Sequence, residues 1–147
     1  MSESRFKVRA EAVPVDDGLA PELGWRDLQV RWLVGEGMGS ESTVVGYSVF
    51  PPGAAHELHR HPRAEEWEYV LRGSGVKRVG EEEIEIAAGD LVFTPRDVYH
   101  GVFNDSSATL ETLWGYCGAA SLEGAGYVLP GAEPLLRAWP DRSERGR

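Results

Sequence analysis

The sequence predicts an all-β domain of barrel or sandwich form, and three observations carry that prediction. Short runs alternate apolar and polar residues with period two, as half-buried strands do. Clusters of turn-forming glycine, proline, asparagine and aspartate separate these runs at intervals of about 8–12 residues. No stretch keeps helical spacing of apolar residues for more than two turns.

Taken in order, the scattered apolar residues from Arg5 to Val15, then Pro14, Asp16, Asp17, Gly18 and Pro21, describe an amino-terminal arm and loop over residues 1–24. Leu28, Val30, Trp32 and Val34 alternate with Gln29, Arg31 and Leu33 as a first strand, closed by a glycine-rich turn. Thr43 to Phe50 is rich in β-branched and aromatic residues and stops at Pro51-Pro52-Gly53. Glu66 to Leu71, Val76 to Val79, Ile84 to Ile86 and Leu91 to Thr94 follow as further strands, the middle two flanking an acidic hairpin tip. His100 to Asn104 and Thr109 to Cys117 complete a set of about eight strands. The barrel thus spans 25–128. Residues 129–147, with Pro130, Pro134 and Pro140 and a charged end, read as an irregular carboxy-terminal arm whose end is disordered.

At 147 residues the chain fits one domain. A domain of that size buries roughly 68–70% of its unfolded surface, so it needs no structural metal, and a bound metal would serve function. The net charge of −9 disfavours nucleic acid and anionic membranes as partners. The amino terminus lacks the apolar core of a signal peptide and no apolar run approaches about 18 residues, which leads to the expectation of a cytoplasmic protein. The single cysteine, Cys117, fits a reducing compartment and is expected as a small buried hydrophobe.

Three of the four histidines, His56, His59 and His61, fall within six positions. Side chains two apart on a strand share a face, so His59 and His61 can present two imidazoles to one point, with Glu65 and Glu66 close behind. Glu65 and Glu66 point to opposite faces, so only one of them can join that point.

This stretch reads Gly53-x5-His59-x-His61-x4-Glu66-x6-Gly73, and after 15 residues the chain continues Gly89-x5-Pro95-x-Asp97-x2-His100-x3-Asn104. The two patterns resemble the paired motifs of the cupin family, small jelly-roll barrels with a metal in the mouth. Asp97 stands where the family has glycine, and aspartate tolerates the left-handed turn required there. The resemblance implies a cupin-type double-stranded β-helix with extended terminal arms. It implies one divalent transition metal held by His59, His61, Glu66 and His100, with Glu66 preferred over Glu65 because it keeps the six-residue step to Gly73. Three imidazoles and a carboxylate suit divalent Fe, Mn, Ni, Zn or Cu, with iron the first expectation. His56 lies outside the pattern and is expected as a hydrogen-bonded core residue.

Pocket-lining candidates are Tyr47, Phe50, Trp67, Tyr69, Phe93, Tyr99, Phe103, Trp114 and Tyr116. Of these Tyr47, Phe50, Phe93 and Trp114, with Arg72, are expected to bind substrate, and Tyr69, Tyr99 and Glu65 to move protons. The implied activity is a non-haem iron dioxygenase acting on an enolic, aromatic or diketone-like small molecule. A non-oxidative decarboxylase, lyase or isomerase, in which the metal is a Lewis acid, is the alternative, and a non-catalytic metal or small-ligand binding module is a further one. A homodimer is expected, pairing through sheet faces or through exchanged arms at residues 5–15.

Overall fold

The computed structural model describes residues 4–131, so the end expected to be disordered, 132–147, lies outside the described residues. Its strands are β1 (Trp25–Arg26), β2 (Gln29–Val34), β3 (Thr43–Phe50), β4 (Ala55–His59), β5 (Glu65–Arg72), β6 (Ser74–Val79), β7 (Glu82–Ala87), β8 (Leu91–Thr94), β9 (His100–Phe103) and β10 (Leu110–Cys117). Eight of them match the strands expected from periodicity. The two additional ones are the short β1 and β4, the latter formed by the histidine stretch itself.

The strands form two five-stranded sheets, in the orders β1-β4-β9-β6-β7 and β2-β3-β10-β5-β8. All the pairings are antiparallel. The sheets face each other as a jelly roll and do not close into a continuously hydrogen-bonded barrel. Period-two burial is clearest in β3, where Val44, Gly46, Ser48 and Phe50 face inward and their odd-numbered neighbours face outward.

Between the sheets one apolar cluster gathers Trp25, Val30, Val44, Trp114 and Tyr116, and a second gathers Phe50, Val70, Ile86, Val102 and Leu110. Each such side chain contributes roughly 1.5–3 kcal/mol on burial. Gly46 is paired with Trp114 across β3 and β10. A β-carbon at Gly46 would lie 2.1 Å from the indole, so glycine there is what lets Trp114 lie across the barrel. Gly73 turns between β5 and β6 at φ 83°, with the Thr109 carbonyl where a side chain would begin.

The second motif folds as its residues suggest. Asp97 adopts the left-handed conformation, φ 66°, and its carboxylate pairs with Arg60. Asn104, fully buried, donates from Nδ2 to the carbonyls of Phe50 and Ala108, both at 2.8 Å, and so ties the ends of β3 and β9 to the loop entering β10.

The amino-terminal arm packs along β2 of its own barrel. The Asp16 amide donates to Val30, Arg31 Nε to the Val13 carbonyl at 3.0 Å, and Trp32 Nε1 to Asp16 Oδ2 at 2.8 Å. After β10 the chain makes a single helical turn, α1 (Leu122–Ala125), capped by Ser121, and Val128 then bridges to Arg60. Cys117 is exposed, not buried as expected. It is the last residue of β10, where the alternation places it on the outer face opposite the buried Tyr116.

Candidate metal centre

His59 ends β4, His100 begins β9, and the two are register partners in the first sheet. His61 lies just past β4, beyond the Arg60–Val128 bridge, and reaches the same point. One ring nitrogen from each lies within 4.8 Å of the others. All three residues are at most 2% exposed.

Each imidazole is oriented by its other nitrogen. His59 Nδ1 donates to the Glu57 carbonyl at 2.7 Å, His61 Nδ1 to the Gly126 carbonyl at 2.8 Å, and His100 Nδ1 to the Val98 carbonyl at 2.9 Å. A carbonyl only accepts, so each Nδ1 carries a proton, and in its neutral form each ring turns an Nε2 lone pair inward. These three Nε2 atoms are buried and make no hydrogen bond among the described residues. Burial drives the His59 imidazole well below its usual pKa and that of His61 down to about 4, so both are neutral near pH 7. Three converging lone pairs without donors are costly unless a cation accepts them, and the donor set therefore fits a divalent metal.

Glu66 reaches the cluster from β5 in the opposite sheet. Its Oε2 lies 2.7 Å from His100 Nε2, outside hydrogen-bonding geometry, and its Oε1 lies 4.0 Å from His61 Nε2. Burial alone would raise the pKa of Glu66; its contacts with His100 and the Lys77 ammonium override it and hold the carboxyl well below the usual carboxylate range. Lys77 Nζ lies 3.5 Å from Glu66 Oε2 and 2.7 Å from Glu68 Oε1, and Thr112 Oγ1 donates to Glu68 Oε2 at 2.8 Å.

The space beside His59 and His100 is small, about 20 Å³. Its lining includes Ser48, Phe50, Glu66, Glu68, Lys77, Trp114 and Tyr116. Phe50 and Trp114, two of the expected substrate residues, line this space, and Trp114 is locked by its Nε1 donating to Ser48 Oγ at 2.7 Å. Tyr116 packs on His61 with ring centres 4.5 Å apart.

The other expected site residues lie elsewhere. Tyr69 and Glu65 alternate with Glu66 and Glu68 along β5 and point off the outer face, where Tyr69 is exposed. Phe93 pairs with Trp67 on that outer face and is exposed as well. Tyr47 is outward on β3 and its hydroxyl donates to Glu111; burial, then Glu111, pushes its pKa up to about 12. Arg72 shares the parity of Glu66, but the register shift beside Glu111 and Thr112 turns it out to solvent, where it pairs with Glu111 at 3.4 Å. Tyr99 stacks beneath the Arg60 guanidinium at 5.5 Å and is not among the cavity-lining residues. His56 is the satisfied residue expected of it, stacked between Trp25 and His59 and hydrogen-bonded to the Tyr127 hydroxyl at 3.0 Å.

Sequence reasoning missed Glu68, Lys77, Thr112 and Tyr127. Glu68 was legible, since it stands two positions after Glu66 on one strand. Lys77 was not, because Gly75 to Arg78 are all buried and β6 carries no alternation to read.

Residues 46–116 match the family model of the cupin domain. The oxalate-binding protein of Thermotoga maritima is 32% identical over 78 residues, 53% of this chain and 64% of that protein. The dimethylsulfoniopropionate lyase DddW of Ruegeria pomeroyi is 33% identical over 97 residues, 64% of this chain and 60% of that protein. The chain thus spans less than two thirds of the length of these curated relatives. Among solved structures, a predicted oxalate decarboxylase from Thermotoga maritima superposes with a TM-score of 0.69 at 25% identity, over 76% of this chain and 98% of that one.

Proposed function

The chain is a small member of the cupin superfamily, and on that premise we propose that it is a divalent-metal-dependent enzyme acting without dioxygen on a small carboxylic acid, as a decarboxylase or lyase. The observation that carries the reading is the convergence of the three imidazole nitrogens and the Glu66 carboxylate on one another, beside a space of about 20 Å³ lined by His59, His100 and Glu66. By that measure the space holds about one water, so any substrate enters only by displacing part of the lining, and the smallest displaces least. The relatives support the same substrate class, because oxalate and a propionate are both small carboxylates.

His59, His61, His100 and Glu66 would hold the metal. When bound, it supplies a Lewis acid that polarises a substrate oxygen. Phe50 and Trp114 wall the cavity. Proton handling falls to groups inside the cavity, in place of Tyr69, Tyr99 and Glu65. Tyr116, kept protonated by burial and then by the nearby Glu66 charge, is the donor. The oxidative reading, an iron dioxygenase, uses the same four ligands and parts from this one on a single measurement. Protein purified without added metal is assayed for metal content and then for turnover of a panel of small carboxylic acids, with dissolved oxygen followed throughout. Product release without oxygen uptake is the expected result; uptake in step with product establishes the dioxygenase instead, and a metal-free protein that turns nothing over removes both.

The protein also pairs with a second copy of itself, on this reading, through the outer face of the β2-β3-β10-β5-β8 sheet. Tyr69, Leu71, Leu91 and Phe93 stand exposed together on its β5–β8 side, an apolar surface of the kind that marks an interface. The amino-terminal arm is occupied along its own β2, which favours face pairing over arm exchange.

A further inference from the structure

Lys77 is 1% exposed, and its ammonium lies in the core between the two sheets. It projects from β6 in one sheet toward Glu66 and Glu68, which project from β5 in the other. A buried ammonium is costly unless paired, and one carboxylate at hydrogen-bond distance already pairs this one. Glu68 meets that need at 2.7 Å, and its second oxygen is taken by Thr112 at 2.8 Å, so the Glu68 carboxylate has no freedom to turn. Lys77 is in turn fixed by Glu68. Its remaining contact is Glu66 Oε2 at 3.5 Å.

Glu66 has few other anchors. It touches His100 and His61 on the metal side, and across from them the cation that faces it is Lys77. The three histidines are each aimed by a backbone carbonyl behind the ring. Among the described residues Glu66 has no backbone partner of that kind, and the chain Thr112–Glu68–Lys77 stands where one would be. We infer that Lys77 is the positioning residue for Glu66: held by Glu68 and Thr112, its ammonium fixes the orientation in which the Glu66 carboxylate faces the histidine cluster. The role rests on the metal reading above and deepens it, because it makes the fourth ligand depend on a residue from the opposite sheet.

The test compares wild type with Glu66→Gln, Lys77→Met, Lys77→Arg and the double variant Lys77→Met/Glu68→Gln, each titrated with Co²⁺. The double variant removes both charges of the pair together, so it folds where Lys77→Met alone leaves Glu68 buried and unpaired. Two readouts are taken, the Co²⁺ dissociation constant and the visible spectrum of the bound ion, which reports its ligands and not protein stability. The expected result is a 10–100-fold weaker dissociation constant in the double variant. Its Co²⁺ spectrum should approach that of Glu66→Gln, and Lys77→Arg should restore it toward wild type. A double variant that unfolds at lower temperature yet keeps the wild-type spectrum and affinity overturns the inference and leaves the metal site standing. A Glu66→Gln protein indistinguishable from wild type, or a wild type that binds no Co²⁺, overturns both together.

Discussion

His100 Nε2 and Glu66 Oε2 stand 2.7 Å apart although they belong to different sheets, the first on β9 and the second on β5. The candidate metal centre is therefore a seam that closes only when the two sheets come together. His59 and His100 lie side by side in one sheet, and the carboxylate is delivered from the other.

Removing a member of the seam should empty it. His61→Ala and His100→Ala are each expected to lower the metal content of the purified protein strongly, as measured by elemental analysis. His56→Ala should leave metal content unchanged, because its ring nitrogen is engaged with the Tyr127 hydroxyl, while costing about 1–3 kcal/mol through the lost stacking and hydrogen bond. Metal lost from His56→Ala and retained by His100→Ala would reverse the assignment.

Acid should destabilise the metal-free protein well before its carboxylates titrate. His61 is neutral when folded until about pH 4, whereas in the unfolded chain it takes a proton near pH 6.5. The stability gained from burying it neutral is complete above about pH 6.5 and is lost as the pH falls toward 4, since the unfolded state binds a proton the native state refuses. That loss is on the order of 3 kcal/mol from His61 alone. His56 and His59 are shifted downward for the same reason, burial, and act in the same direction. Thermal unfolding midpoints of chelator-treated protein between pH 7 and 4 provide the check; a flat profile would contradict neutral buried imidazoles. Metal at about 100 times its dissociation constant should add back about 2.7 kcal/mol at pH 7.

The Gly46–Trp114 pair should be intolerant of a single methyl group. Gly46→Ala places a β-carbon 2.1 Å from the indole, so Trp114 must leave its position against Ser48. A cost of about 1–3 kcal/mol is expected, with a change in near-ultraviolet circular dichroism that reports the displaced ring. The cavity wall moves with it, so turnover of a small carboxylate should fall more than metal content does.

The outer face of the second sheet should govern association. Leu91→Asp combined with Phe93→Asp puts two charges among the exposed apolar residues of β5 and β8. Light scattering on the eluting protein is expected to show a dimer for wild type and a monomer for this variant, with the metal content of both alike. A wild-type monomer, or a dimer that survives both charges, would reject this face as the interface.

Much of the site was open to sequence reasoning, and part of what was missed followed from residues already in hand. Once Glu66 is assigned inward, strand parity sends Glu65, Trp67 and Tyr69 outward and brings Glu68 inward. Tyr69 and Glu65 could have been set aside, and Glu68 included, on that ground alone. Arg72 could not, because its parity is broken by a register shift that depends on the partner strand β10.

The sequence by itself determined the jelly-roll class, the three converging histidines, the choice of Glu66 over Glu65 as the inward carboxylate, and the turn at Asp97. The β-strand pattern, the shared face of His59 and His61 and the turn follow from local rules, period two along a strand and turn chemistry; the jelly roll, His100 as the third histidine and Glu66 over Glu65 follow from the resemblance of the two motifs to the cupin family. Only the tertiary structure decided that Lys77 meets Glu66 and Glu68, that Tyr116 and not Tyr99 lines the cavity, and that the space beside the candidate metal centre is small. Those contacts join residues of different strands and different sheets. Periodicity says which residues of a strand share a face; which opposing side chain fills the gap between two sheets is set by their packing.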